Sequence, residues 1–201
     1  MSTKNISVCK KCRVYKEKLF LKGEKCFTKC VFDKRKASAK TKATKDSEYA
    51  KRLKEKQKTK LIAWLDERQF RNYFKKAQKM PGLTGENLLL LLEMRLDNVV
   101  RLSFVPSIRF ARQLILHGFV KVNNKKIKIP GYRVKVNDKI ELDPKIRENL
   151  VIKRWIENFL QPPSWLSVNR ETFESTVVSI PKREEMSFHV YESLIVELYS
   201  K

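Results

Sequence analysis

Apolar residues change their period at Gly118, and that change restricts the folds open to this chain more than any other feature. Upstream, Leu88, Leu91, Leu92, Leu96 and Val99 keep helical spacing. Ser107 stands where an N-cap would open a further helix, whose Ile108, Ala111, Leu114 and Ile115 share one face. Gly118 suits the left-handed residue that closes it. Downstream, "FVKVNNKKIKI" and "YRVKVNDKIEL" alternate, and Asn123-Asn124 and Asn137-Asp138 supply turn residues that tolerate positive φ. Residues 94–144 therefore predict two helices followed by a small antiparallel set of strands, an α+β class.

The flanks carry weaker signals. "SEYAKRLKEKQKTKLIAWL" predicts a helix capped by Asp46 or Ser47, with Tyr49, Leu53 and Leu61 as sparse apolar points. In "DERQFRNYFKKAQKM", Phe70, Tyr73, Phe74 and Ala77 mark one face of another helix, which should stop before Pro81-Gly82. The tail holds "STVVSI" and "SLIVELYS", broken by Pro162-Pro163 and Pro181, and both runs read as strands or extended segments. Residues 1–30 are rich in Cys and Lys with little periodicity, and 33–47 have so few apolar residues that alone they should be disordered.

Length allows one large domain or two small ones. The net charge is +23 and unevenly spread: +15 over residues 1–60, +1 over 61–93, +7 over 94–144 and zero over 145–201. Such an excess calls for a polyanion. A membrane surface is disfavoured, because there is no apolar run of about eighteen residues and no helix with a bulky apolar face opposite a Lys-rich one. "MSTKNISVCKKC" resembles neither a secretory signal nor a long Arg-rich organellar leader, so the chain is expected to work in the compartment where it is made.

All four cysteines lie close together, Cys9, Cys12, Cys26 and Cys30, spaced C-x2-C-x13-C-x3-C. Two close pairs separated by a loop suit tetrahedral thiolate ligation of zinc; an iron–sulfur cluster or free thiols are the alternatives. Metal binding would also help fold a segment with almost no core of its own.

Arg109 and Arg112 lie one helical turn apart with Gln113 beside them, and Lys121, Lys125, Lys126 and Lys128 follow. Guanidinium forks suit phosphate oxygens. A solvated charged face explains the helix positions equally well. His117 alone suits a structural role better than a catalytic one. No G-x-S-x-G, P-loop, G-x-G-x-x-G or H-E-x-x-H signature is present, and no enzyme is expected.

"LTGENLLLLLEMRLDNVVRL", "ARQLILHGFVKVN", "IPGYRV" and "DKIEL" together resemble the RNA-binding module of the bacterial-type small-subunit ribosomal protein S-four family. "YAKRLKEKQK", "LDERQFRNYF", "WLSVN", "LIVELYSK" and the cysteine cluster with "LFLKGEKC" extend the resemblance over essentially the whole chain. The module also occurs in pseudouridine synthases, RNA methyltransferases and a tyrosyl-tRNA synthetase, but no catalytic domain accompanies it here. The resemblance implies a mainly helical domain, 41–88 plus 170–201, with the RNA-binding module inserted at 89–169. The Cys-rich basic extension would cover 1–40. It implies a primary binder of small-subunit rRNA at a multi-helix junction of the 5′ domain, which nucleates assembly of the subunit body. Such a protein would touch ribosomal protein S-five, lie beside mRNA where it enters its channel, and bear on decoding accuracy.

By resemblance, Arg95 and Asp97 form an internal pair. Arg109, Arg112, Gln113, His117, Asn123, Tyr132 and Arg133 contact RNA, joined by Lys121, Lys125, Lys126, Lys51, Arg52 and Lys56. The chain departs from the family pattern in a one-residue shortening after Val100, in Asn124 where Gly is usual, and in Gly131 where Ser is usual. The first departure bears on where Arg101 points. The form of "LLEMRLDN" and the excess of Lys over Arg favour a plastid ribosome, with the bacterial cytoplasm as the alternative. Two rival readings are an RNA-modifying enzyme and a zinc-dependent DNA-binding regulator.

Overall fold

The computed structural model describes residues 7–36 and 47–200, so Asp46 and most of the expected disordered stretch lie outside the described residues. In chain order the helices begin with α1 (Val8–Tyr15), α2 (Glu24–Thr28), α3 (Val31–Lys36), α4 (Glu48–Ile62), α5 (Glu67–Gln78), α6 (Thr84–Glu93), α7 (Leu96–Ser103) and α8 (Ile108–Leu116). Then come β1 (Val120–Val122), β2 (Lys125–Lys126), β3 (Lys139–Leu142), α9 (Pro144–Arg147), α10 (Leu150–Asn158), β4 (Leu166–Asn169), β5 (Glu174–Val177) and α11 (Glu192–Tyr199). Two compact units result: residues 1–89 with 188–201, and residues 90–187. No helix among the described residues is long and apolar enough to cross a membrane.

In the first unit, Ser47 caps α4 by accepting from Ala50 N at 3.2 Å. The expected apolar points of α4 are only partly used: Leu61 is buried, but Tyr49 is 64 % exposed. Instead α4 buries charge, and pairs it. Lys58 Nζ lies 2.9 Å from Glu55 and 3.1 Å from Glu17, and Glu55 accepts from Tyr191 N at 2.9 Å. Helix α5 buries Phe70, Phe74 and Ala77 and ends at Gln78, ahead of Pro81, as its pattern predicts.

Two expectations about this unit are corrected. Residues 33–36 belong to α3 rather than to a disordered run. "SLIVELYS" is helical, not extended. Ile195 is fully buried, and Tyr199, one turn on, stacks on Phe74 with ring centroids 4.3 Å apart. That i, i+4 pair outweighs the β-branched composition.

Glu67 ties α5 to α4, accepting from Lys56 at 2.8 Å and Lys60 at 3.0 Å. Burial alone would raise the Glu67 carboxyl, but the two lysines outweigh it and hold it at about 2. Burial, with help from Glu67, pushes Tyr199 up to about 12. Because the folded carboxyl titrates below its ordinary value, its contribution to stability is complete above about pH 4.5 and fades as pH falls toward about 2. Denaturant titrations across that window should show Glu67→Gln less acid-sensitive than wild type; identical profiles would contradict the assignment.

The second unit is built on an antiparallel sheet of order β2-β1-β3-β5-β4. Val120, Val122, Ile140, Leu142 and Val177 face the core, where they join Val99 from α7, Phe104 just past its end, Leu114 and Ile115 from α8, Ile152 and Ile156 from α10, and Trp165. Of the expected strands, β1, β2 and β3 are present, but residues 132–136 form only a single bridge at Arg133 rather than a strand, and β4 and β5 make the sheet larger than expected. Strand β5 pairs with both β3 and β4, so the boundary between units falls at 187/188 rather than at 169/170. The long apolar run breaks between α6 and α7, where Arg95 is extended and forms an isolated bridge to Arg133. The passing segment closes that gap: Leu96 N donates to Tyr132 O, Asp97 N to Pro130 O, and Val134 N to Met94 O.

Candidate nucleic-acid interface

The break between α6 and α7 positions a buried ion cluster. Arg95 grips Asp97 with both arms of its fork, at 2.9 and 2.6 Å, and Arg112 Nη1 donates to the same carboxylate at 2.7 Å. Asp97 is fully buried, Arg95 is 5 % exposed and Arg112 23 %. The internal pairing of Arg95 with Asp97 is therefore present. Arg112, expected on RNA, reaches inward from α8 to lock it against α7.

A second buried network adjoins it in sequence. Arg101 donates to Asn98 Oδ1 at 3.0 and 2.7 Å and to Ser187 Oγ at 2.7 Å. Ser187 donates through N and Oγ to the Glu93 carboxylate at 3.1 and 3.0 Å. Burial raises Glu93 above the usual carboxylate range, against the pull of Arg101 and the Ser187 donors. Arg101 thus points into the unit despite the shortening after Val100. Sequence reasoning missed Glu93, Asn98 and Ser187; a single acid closing a run of five leucines was the available signal.

The outward surface starts at the N-terminus of α8, where Ser107 Oγ accepts from Phe110 N. Arg109, Gln113 and His117 are exposed along that helix, and His117 stacks on Phe119 with ring centroids 6.3 Å apart. Gly118 ends the helix at φ 76°, and a Cβ there would meet Lys128 Cε at 3.2 Å. That contact lays the stem of Lys128 across the C-terminal end of α8. The β1–β2 turn has Asn123 and Asn124 at φ 49° and 65°, a turn with both central residues left-handed. Asn124 does what the family's usual Gly does.

Asn123, expected on RNA, is engaged within the unit. Its amide donates to Asp138 at 2.8 Å and its carbonyl oxygen accepts from Lys139 N at 2.9 Å. Asp138 also accepts from Lys135 N, so one carboxylate clamps two turns. Lys121 sits directly opposite Lys126 across the β1–β2 ladder, and Lys125 is exposed beside them. Like charges placed opposite one another destabilise a sheet. The nearest carboxylate to Lys126 Nζ is Asp143, at 3.9 Å. A polyanion laid over this hairpin relieves the repulsion.

The remaining expected residues lie elsewhere. Tyr132 is half-buried on the core, while Arg133 is exposed and lines a cleft with Lys135, Leu90, Val136 and Ile180. In the first unit Lys51 pairs with Glu48, Arg52 with Glu197 on α11, and Lys56 with Glu67. Arg52 and Lys56 are 19 and 13 % exposed and act as staples between helices. Cys12 and Cys26 are buried, and Cys9 and Cys30 partly so. Burial pushes the Cys12 and Cys26 thiols up, backbone N–H donors pull them part of the way back, and the other cysteines add to the rise. The four thiols lie in one segment, and thiolates are a donor set that suits zinc. Among the described residues, however, no three such side chains are arranged around one point as ligands.

The profile of the "Ribosomal protein S4/S9 N-terminal domain" matches residues 4–93, and that of the "S4 domain" matches 94–140. The chain is 49 % identical over 198 residues to a Clostridium tetani protein named small ribosomal subunit protein uS4, with 96 % of each chain covered. The chain belongs to the uS4 family. Proteins of the same name from Endomicrobium trichonymphae and Halothermothrix orenii are 46 and 47 % identical, again over nearly the full length of both chains. These uS4 relatives are bacterial and lend no support to the plastid expectation. The S4 domain match spans the ion cluster, α8, the hairpin and the start of β3, so the exposed basic surface lies within the uS4-type module.

Proposed function

We propose that the chain is a structural, non-enzymatic constituent of the small ribosomal subunit that binds its rRNA through the α8 and β1–β2 surface. One observation carries this reading: the side chains exposed there include Arg109, Gln113, His117, Lys125 and Lys126, with Lys126 directly opposite Lys121 across the ladder. Phosphate neutralisation supplies affinity and a steep salt dependence. RNA shape supplies specificity, because A-form helices hide their major-groove edges. The finer reading is a primary binder at a multi-helix junction of the 5′ domain, which nucleates the subunit body. It touches ribosomal protein S-five and lies beside mRNA where it enters its channel, with an effect on decoding accuracy. A bacterial-type ribosome is the setting that the uS4 relatives support. The protein should co-sediment with the small subunit and protect one defined rRNA junction from cleavage. Free protein beside intact subunits, or diffuse protection, would contradict it.

The cysteine quartet is further proposed to hold zinc, with an iron–sulfur cluster as the alternative; the support is its C-x2-C-x13-C-x3-C spacing. Bound zinc would draw Cys9, Cys12, Cys26 and Cys30 together as thiolates and stiffen a segment with a small core. Elemental analysis of protein purified without chelator should find about one metal ion per chain, and a chelator should lower helix content. Metal-free protein with unchanged helicity would contradict it.

A further inference from the structure

Leu19 and Leu21 are each 5 % exposed and pack with Val8, Cys12 and Leu61, yet Phe20 between them is turned out and 45 % exposed. Its backbone is left-handed, φ 49°. A bulky L-residue adopts that conformation only at a cost, and a ring left nearly half exposed offsets little of it. Phe27, 53 % exposed, lies with its ring centroid 5.0 Å from that of Phe20 and its plane inclined by 34°. Lys18 Nζ stands 5.6 Å from the Phe20 ring and is anchored by Asp33 at 2.6 Å. Lys22 and Lys25 are exposed in the same stretch.

Exposed rings set among cations are how proteins hold unpaired nucleotides: the base stacks on an aromatic face and the lysines meet the flanking phosphates. An apolar protein partner would not call for the lysines. We infer that Phe20 and Phe27 form a stacking platform for unpaired RNA bases, with Lys22 and Lys25 as phosphate contacts and Lys18 held by Asp33 at the Phe20 ring. The inference rests on the RNA-binding reading above and adds a second contact, in the cysteine-bearing segment and outside the S4 domain.

Ultraviolet cross-linking of the full-length protein to short oligouridylate, with mass mapping of the adduct, should place cross-links at Phe20 or Phe27. Phe20→Ala and Phe27→Ala should each weaken oligouridylate binding about tenfold without changing its salt dependence, since no counterion release is lost. Phe27→Trp should bind at least as well as wild type. Cross-links elsewhere together with unchanged affinity in both alanine variants would overturn the inference. So would equal loss in Phe27→Trp, which would mark a packing role. Normal RNA binding with a lost ribosomal-protein contact in reconstituted subunits would give the platform to a protein and also overturn it. If oligouridylate binds through these rings while the 5′-domain transcript does not bind at all, the platform stands and the ribosomal reading falls.

Discussion

Asp97→Ala should destabilise the protein by about 3–5 kcal/mol, the largest effect expected of any single substitution away from the apolar core. The fully buried carboxylate answers two guanidinium groups, both arms of Arg95 and one of Arg112. Removing it leaves the charge of Arg95 in a low-dielectric site without the Asp97 carboxylate. It also releases α8 from α7, so the surface carrying Arg109 and Gln113 loses its footing. Arg112→Ala should cost less, because Arg112 is 23 % exposed and its loss leaves the Arg95–Asp97 pair intact. Urea midpoints for the two variants measure both. A loss under about 1 kcal/mol for Asp97→Ala would mean that the cluster is no better than a surface pair.

Replacing Lys121, Lys125 and Lys126 together with Gln should have the opposite profile. Affinity for small-subunit rRNA should fall, and the slope of log affinity against log salt should become shallower by about two to three, close to one per phosphate contact. Stability should hold or rise slightly, because Lys121 and Lys126 face each other across the β1–β2 ladder. Filter binding at several salt concentrations, paired with thermal melts, separates the two effects. An unchanged slope would remove the hairpin from the interface. This triple variant is a cleaner probe than Arg109→Ala with Arg112→Ala, which would weaken binding partly by loosening α8 on its buried carboxylate.

The period change at Gly118 made α8 and the hairpin legible, down to the left-handed Asn123 and Asn124. Which way a charged side chain turns was not legible. Arg109 and Arg112 look alike as i, i+3 neighbours, but a buried carboxylate fifteen residues upstream claims one of them. Asn123, Arg52 and Lys56 were likewise drawn to partners distant in sequence: Asp138, Glu197 and Glu67. In each case a local spacing rule met a tertiary contact that it does not encode. The tail misled for a related reason. "SLIVELYS" has strand-forming composition, and only the burial of Ile195 and the stacking of Tyr199 on Phe74 decide for a helix. The sheet was underestimated because β5 pairs with β3 across more than thirty intervening residues.

The most direct test of the central claim is a competition measurement at one fixed salt concentration. Full-length protein is bound to a transcript of the small-subunit rRNA 5′ domain and challenged with unrelated structured RNA and with duplex DNA. A dedicated rRNA binder should keep the 5′-domain transcript against an excess of either competitor, and the Lys121, Lys125 and Lys126 triple variant should lose that hold. Equal displacement by all three nucleic acids would show only non-specific attraction of a +23 chain to polyanions and would contradict the account.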